Sequence, residues 1–318
     1  MIKTYTLENK LLRIKTLNIG ATLFEVFHKR KKINLVLNLD KISSYKNNKN
    51  YLGSTCGRFA NRIKNAQFKI KNTTYKLSKN EGKNILHGGK KGFDSKIWTI
   101  IDSSKKHVTY QYISKDGEEG FPGELISICK FSLKDNCLNI SIKARSSKMT
   151  HVNIVNHAYW NLEKIKKDIF GHHLYINADY YTEMDKDNIP TGKKVRVDKS
   201  LYDFRKMSNI GDKIKEKGSP YDENYIVRKK STLMAKLIAP KSQIQLTVFS
   251  NQPAVQFYSG QYLKYVSKNK RLKAHQGMCL ETQIFPDAIN QPDFPSTILK
   301  KGQTYTSNTK IKLRNDFN

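Results

Sequence analysis

Leu138-Asn-Ile-Ser-Ile-Lys-Ala-Arg145 alternates without a break, with Leu138, Ile140, Ile142 and Ala144 apolar and Asn139, Ser141, Lys143 and Arg145 polar. A period of two puts each set on its own face, the pattern of a half-buried strand. Gln243-Ile-Gln-Leu-Thr-Val248 repeats it, with Ile244, Leu246 and Val248 set against Gln243, Gln245 and Thr247. Turn chemistry flanks these runs in Lys134-Asp-Asn136 and Ala239-Pro-Lys-Ser242. Nearer the start, residues 2–7, 11–17, 21–27 and 33–39 are further short β-type runs, separated by turns rich in Asn, Gly or Lys. A polar connection over residues 40–50 follows, and only residues 207–217 look helical. No repeat, heptad or low-complexity linker marks a boundary. The expectation is an all-β chain, a large antiparallel β-sandwich in which residues 1–318 form one domain.

Composition agrees with a packed β core. Hydrophobic residues make up 38% and aromatics 10%, and the 17 Tyr and 14 Phe suit strands better than helices. No apolar run approaches the roughly 18 residues of a membrane span. The opening Met1-Ile-Lys-Thr-Tyr-Thr-Leu-Glu8 shows no signal-peptide core. Cys56, Cys129, Cys137 and Cys279 have neither C-x-x-C spacing nor disulfide-scaffold density. A cytoplasmic, reduced, metal-free protein without membrane attachment is expected.

The net charge of +31 raises the question of nucleic acid. Lys far outnumbers Arg, whereas base and phosphate recognition favours Arg forks. The lysines are also scattered in pairs such as Lys105-Lys106, Lys166-Lys167, Lys193-Lys194 and Lys229-Lys230, with no dense arm. Abundant Lys, Asn and Ile together point to compositional bias, so no nucleic-acid partner is expected.

Polar residues that strands do not need for folding stand at five places. Glu281 sits in Cys279-Leu-Glu-Thr-Gln-Ile-Phe-Pro-Asp-Ala-Ile-Asn-Gln-Pro-Asp-Phe-Pro-Ser296, a strand followed by Pro286, Pro292 and Pro295, which predict a stiff, extended wall. Asn61 and Arg62 follow a Gly-Arg turn. His87 lies in Leu86-His-Gly-Gly89, whose glycines would let backbone approach a ligand. His157 shares an expected strand face with Val155 and Tyr159, and Gln256 points away from Val255 and Phe257. Taken singly, each has an ordinary structural explanation. Glu281 reads as a surface carboxylate, Arg62 as half of a surface ion pair and His87 as a turn residue. His157 reads as a core histidine and Gln256 as a solvent-facing strand residue.

Together they resemble a family. Gly57-Arg-Phe-Ala-Asn-Arg-Ile63, Leu86-His-Gly-Gly89, Asp116-Gly-Glu-Glu-Gly-Phe-Pro-Gly123, Asn156-His-Ala-Tyr-Trp-Asn-Leu162, Ile189-Pro-Thr-Gly192, Tyr221-Asp222 and Leu280-Glu-Thr-Gln283 with its Pro-Asp tail are similar, in order, to the aldose 1-epimerase (galactose mutarotase) family. The resemblance implies a galactose mutarotase-like supersandwich with an open sugar cleft, interconverting α- and β-aldohexoses. It implies Glu281 as general base and His157 as general acid, with Asn61, Arg62, His87, Asp222 and Gln256 binding or orienting the sugar. At one point the chain departs from the pattern: many relatives carry His after the Asp of the Tyr-Asp motif, and here it is Glu223.

The reaction needs little machinery. One base takes the proton of the C1 hydroxyl, one acid protonates the ring oxygen, and each is worth about 10²–10⁴-fold in rate. No cofactor is required, and no P-loop, Rossmann or clustered-ligand signature is present. Other readings remain open. A glycoside hydrolase would pair Glu281 with Asp222 or Asp287. A hexose-phosphate mutarotase would suit the basic surface, and a non-catalytic sugar-binding protein would share the fold.

Overall fold

The computed structural model describes residues 1–229 and 231–315; Lys230 of the Lys229-Lys230 pair lies outside them. The alternating stretch forms the strand Cys137–Ser146, with Leu138, Ile140, Ile142 and Ala144 buried and Lys143 and Arg145 exposed. It lies in a nine-stranded sheet with the order Thr99–Ser104, His107–Ser114, Leu125–Lys134, Cys137–Ser146, Tyr305–Asn315, Ile244–Ser250, Leu233–Ala239, His173–Ile176 and Ser208–Asn209. A six-stranded sheet has the order Tyr159–Trp160, Met278–Gln283, Ala254–Tyr258, Asp222–Val227, Ala178–Met184 and Pro190–Arg196. A four-stranded sheet gathers Thr4–Glu8, Leu12–Leu17, Thr22–His28 and Ile33–Asn34. The ladders of these three sheets are antiparallel.

One apolar core joins the three sheets. Phe131, Ile140, Leu246 and Ile311 of the nine-stranded sheet meet Tyr225, Val255, Phe257, Met278 and Leu280 of the six-stranded one, with Ile14, Leu23 and Val26 closing one side. The fold is thus the sandwich that period-two patterning implies. Because side chains alternate, burying Met278 and Leu280 in this core turns Cys279, Glu281 and Gln283 to the opposite face. That face carries the site.

Three local expectations change. The run over residues 33–39 is a strand only at Ile33–Asn34, because Asn34 Oδ1 accepts from the Val26 and Val36 N–H groups and diverts the ladder. The helix begins later than its pattern, at Ile210–Lys217, because Ser208–Asn209 is paired as a strand and Asn209 caps it, accepting from the Asp212 N–H at 2.9 Å. Gly218 ends it at φ 71°. Finally, the proline-rich segment after Gln283 is no extended wall. It folds back through turns at residues 287–291, and the Asp287 N–H donates to the Arg62 carbonyl at 2.9 Å. No helix among the described residues is long and apolar enough to cross a membrane.

Candidate active site

On the polar side of the six-stranded sheet, a cavity of about 320 Å³ opens to solvent, lined by Asn61, Arg62, His87, His157, Asp222 and Glu281, among others. That size suits one small polar molecule. Six of the seven residues singled out from the sequence therefore converge on one space, although they span Asn61 to Glu281 in the chain.

Glu281 is 2% exposed, so it is no surface carboxylate. His157 does not lie within a strand. The chain pairs Val155–Asn156 with Thr55–Cys56, then Tyr159–Trp160 with Met278–Cys279, and His157 sits at the crossing. Its N–H donates to the Ser54 carbonyl at 2.8 Å and its own carbonyl accepts from Gly53 at 2.9 Å, so the backbone is fixed on both sides. The imidazole Nε2 stands 3.7 Å from Glu281 Oε1, and its Nδ1 lies 3.4 Å from Cys279 Sγ. Glu281 Oε2 is buried and has no hydrogen-bond partner among the described residues. Burial raises the Glu281 carboxyl well above its ordinary range, with Asp222 adding to the rise and Arg62 opposing it. Burial also lowers His157 to about 4. Both shifts favour the uncharged forms, a protonated Glu281 and a neutral His157 imidazole, and a ligand that stabilises the Glu281 carboxylate opposes the first.

Asn61 and His87 form a reciprocal pair. The Asn61 N–H donates to His87 Nδ1 at 3.2 Å, and the His87 N–H donates to the Asn61 carbonyl at 3.2 Å. Both residues have left-handed backbone, φ 62° and 51°, a strained state that this mutual bonding supports. The two glycines after His87 serve packing rather than a ligand. A Cβ on Gly88 would come within 1.9 Å of the Gly57 carbonyl oxygen, and one on Gly89 within 2.3 Å of Glu119 Oε2. Because His87 Nδ1 accepts, its neutral ring carries the proton on Nε2 and is a hydrogen-bond donor there. His87, His157 and Glu281 also form a group whose ligand atoms lie within 4.8 Å of one another. Ligation through His87 Nε2 would require that proton to move to the nitrogen already occupied by Asn61, so the donor set fits a metal poorly.

Arg62 is 7% exposed, which rules out a surface ion pair. Its Nε and Nη2 donate to Glu81 at 2.7 and 2.8 Å, and Nη1 stands 3.8 Å from Asp222 Oδ2. Gln256 departs from both of its expectations. It is 0% exposed, so it is not solvent-facing, and it lies behind Asp222 rather than on the cavity wall. Its Nε2 donates to the Asp222 carbonyl at 2.9 Å and to Oδ1 at 2.8 Å. Gln283 Nε2 donates in turn to Gln256 Oε1 at 3.1 Å and Asn224 Oδ1 at 3.0 Å. A ladder of amides thus orients the Asp222 carboxylate. Asp287 is spent elsewhere: it accepts from the Lys64 N–H, Asn290 and Gln291 and does not line the cavity. It is therefore no partner for Glu281 in glycoside hydrolysis.

Sequence reading expects Phe and Tyr side chains in the cleft but does not say which, and it misses the supports. Tyr51 packs against both histidines, 4.7 Å from His87 and 5.9 Å from His157 by ring centroids. Tyr159, Tyr258 and Tyr262 line the other side, and no Phe does. Glu81 had no local signal, since it stands in an ordinary Asn-Glu-Gly turn.

With this geometry in place, comparison with known proteins is specific. Residues 3–312 match the model of the family described as aldose 1-epimerase. The chain belongs to that family. A galactose mutarotase of Bos taurus is 36% identical over 98% of this chain and 94% of its own length. An aldose 1-epimerase of Haemophilus influenzae is 36% identical over 86% of this chain and 84% of its own. Among solved structures, a GalM/aldose epimerase homologue from C. elegans superposes with TM-score 0.95 at 26% identity, covering all of both chains. Galactose 1-epimerase from Lactobacillus acidophilus superposes at 0.87 and 27%, covering 100% of this chain and 99% of its own. In this aldose 1-epimerase family member the departure at Glu223 falls outside the cavity wall. The side chain turns to the other face of its strand, toward Lys217 at 3.3 Å.

Proposed function

We propose that the protein is an aldose 1-epimerase that interconverts the α and β anomers of aldohexoses. In this reading Glu281 is the base and His157 the acid. The observation that carries it is a carboxyl and an imidazole 3.7 Å apart on one cavity wall, with Glu281 Oε2 unpaired among the described residues.

The steps balance with these two groups alone. Glu281 accepts the proton of the C1 hydroxyl as the C1–O double bond forms. The C1–O5 bond breaks, its electron pair passes to O5, and O5 takes a proton from His157 Nε2. Rotation about C1–C2 turns the other face of the aldehyde to the O5 hydroxyl. That hydroxyl attacks C1 and returns its proton to His157, while Glu281 gives its proton back to O1. Hydrogen bonding from the C1 hydroxyl favours the Glu281 carboxylate, and a carboxylate beside it favours a protonated His157, the arrangement that the first step needs. Arg62, Asp222, Asn61 and His87 take the remaining hydroxyls, His87 as a donor. Gln256 supports Asp222 from behind. The tyrosine walls give apolar faces for the sugar ring.

Polarimetry of freshly dissolved α-D-glucose and α-D-galactose is the direct test. Catalytic amounts of protein should speed the approach to equilibrium rotation, and an unchanged rate with both sugars would overturn the proposal. One observation favours a second reading, in which hexose phosphates are substrates. A groove of about 640 Å³ shares Lys49 and Tyr51 with the cavity and also carries Lys46, Lys79 and Lys90. Competition by glucose 6-phosphate at low salt, with none from free galactose, would select it over free sugars.

A further inference from the structure

We infer that Glu223, locked by Lys217, is a positioning residue that holds Asp222 in its sugar-binding orientation from the far side of the sheet. The inference rests on the mutarotase reading only for what Asp222 touches; the clamp itself is made of protein groups.

Asp222 is the first residue of its strand, and its polar groups are held from two directions. Gln256, behind Asp222, donates to its carbonyl and Oδ1, and Arg62 on the cavity wall stands beside Oδ2. The backbone N–H has no such neighbour, because the ladder with Ala178–Met184 ends at Tyr181 opposite Tyr225 and does not reach it. Glu223 supplies the missing acceptor: its Oε2 takes the Asp222 N–H at 2.7 Å. The other oxygen, Oε1, lies 3.3 Å from Lys217 Nζ.

Lys217 is itself immobilised. It is the last residue of the helix Ile210–Lys217, and its ammonium donates to the Pro220 carbonyl at 2.8 Å and Ser219 Oγ at 3.0 Å. It also sits over the rings of Tyr221 at 4.8 Å and Tyr202 at 5.2 Å. The two side chains are 10% and 12% exposed, so the pair is shielded from solvent. A carboxylate buried this far needs its cation, and burial already lifts Glu223 to about 7 against the pull of Lys217. Rigidity thus passes from the helix through Lys217 and Glu223 to the Asp222 backbone N–H, which neither Gln256 nor Arg62 holds. Glu223 makes no sugar contact and moves no proton in the reaction.

Glu223→Leu keeps the volume and removes the acceptor, while Glu223→Gln keeps an oxygen for the Asp222 N–H. Expected for Glu223→Leu is a KM for galactose raised about tenfold with kcat little changed, and for Glu223→Gln a return to near wild-type values. Amide hydrogen exchange at Asp222 reads the clamp without any sugar: slow in wild type and Glu223→Gln, at least about tenfold faster in Glu223→Leu. If Glu223→Leu does not fold, Lys217→Met carries the same exchange measurement and should also accelerate it. Wild-type protection and KM in folded Glu223→Leu, or wild-type protection in Lys217→Met, would overturn the clamp. Asp222→Asn separates the two layers. An unchanged KM there would reject Asp222 as a sugar ligand, while amide exchange would still decide the clamp.

Discussion

Leu280 and Glu281 are neighbours in one strand, both buried, and they face opposite ways. Leu280 joins Met278, Val255, Phe257 and Tyr225 in the core between the sheets. Glu281 joins Asp222, Asn224, Gln256 and Gln283 on the other face. Burial on the first face stabilises the fold, at about 1.5–3 kcal/mol per large apolar side chain. Burial on the second opposes it, since each polar atom gives up water and needs a partner. The amide ladder supplies some of those partners, yet Glu281 Oε2, Gln283 Oε1 and Asn224 Nδ2 have none among the described residues. One sheet therefore divides its labour: the apolar face provides stability, and the polar face spends some of it to hold a poised carboxyl.

Substitutions on the two faces should break apart accordingly. The largest effect is expected from Glu281→Gln, which removes the base and nearly preserves shape. Mutarotation should fall by about 10²–10⁴-fold while sugar binding, read by calorimetry, persists. His157→Asn should lower the rate by a similar factor or less, with folding intact. Near-normal turnover in either variant would remove that residue from its role.

On the core face, Phe257→Ala should cost about 3–5 kcal/mol in urea unfolding and leave KM and kcat of the folded fraction unchanged. A catalytic loss without a stability loss would mean that the faces are not separable in this way. Asp222→Asn should raise KM about tenfold, the scale of one charge-assisted hydrogen bond, with kcat less affected.

The smallest effect is in pH. The folded pKa of Glu281 stands above its unfolded value near 4.5. Over that interval the folded chain binds more protons than the unfolded one, so this group's contribution to stability is lost as pH rises. Glu281→Gln removes the penalty, and its Tm advantage over wild type should widen from pH 5 to pH 8. A constant difference would mean that burial does not perturb the carboxyl.

Much of this was legible in the chain itself. The alternation at residues 138–145 and 243–248 marked strands, because period two is a local property of pleated backbone. Motif order named six of the residues that line the cavity. Partners set by distant chain were not legible. Nothing near Gln256 says that Gln283 occupies its oxygen and turns its amide to Asp222. Nothing near Arg62 names Glu81, and nothing near Asp287 says that it braces the backbone of Lys64.

Local sequence alone decided which residues alternate, where turns interrupt them and which side chains carry acid–base chemistry. Tertiary structure alone decided which buried polar groups meet. Hydrogen-bond partners are chosen by the register and stacking of strands far apart in the chain, and periodicity carries no trace of that choice.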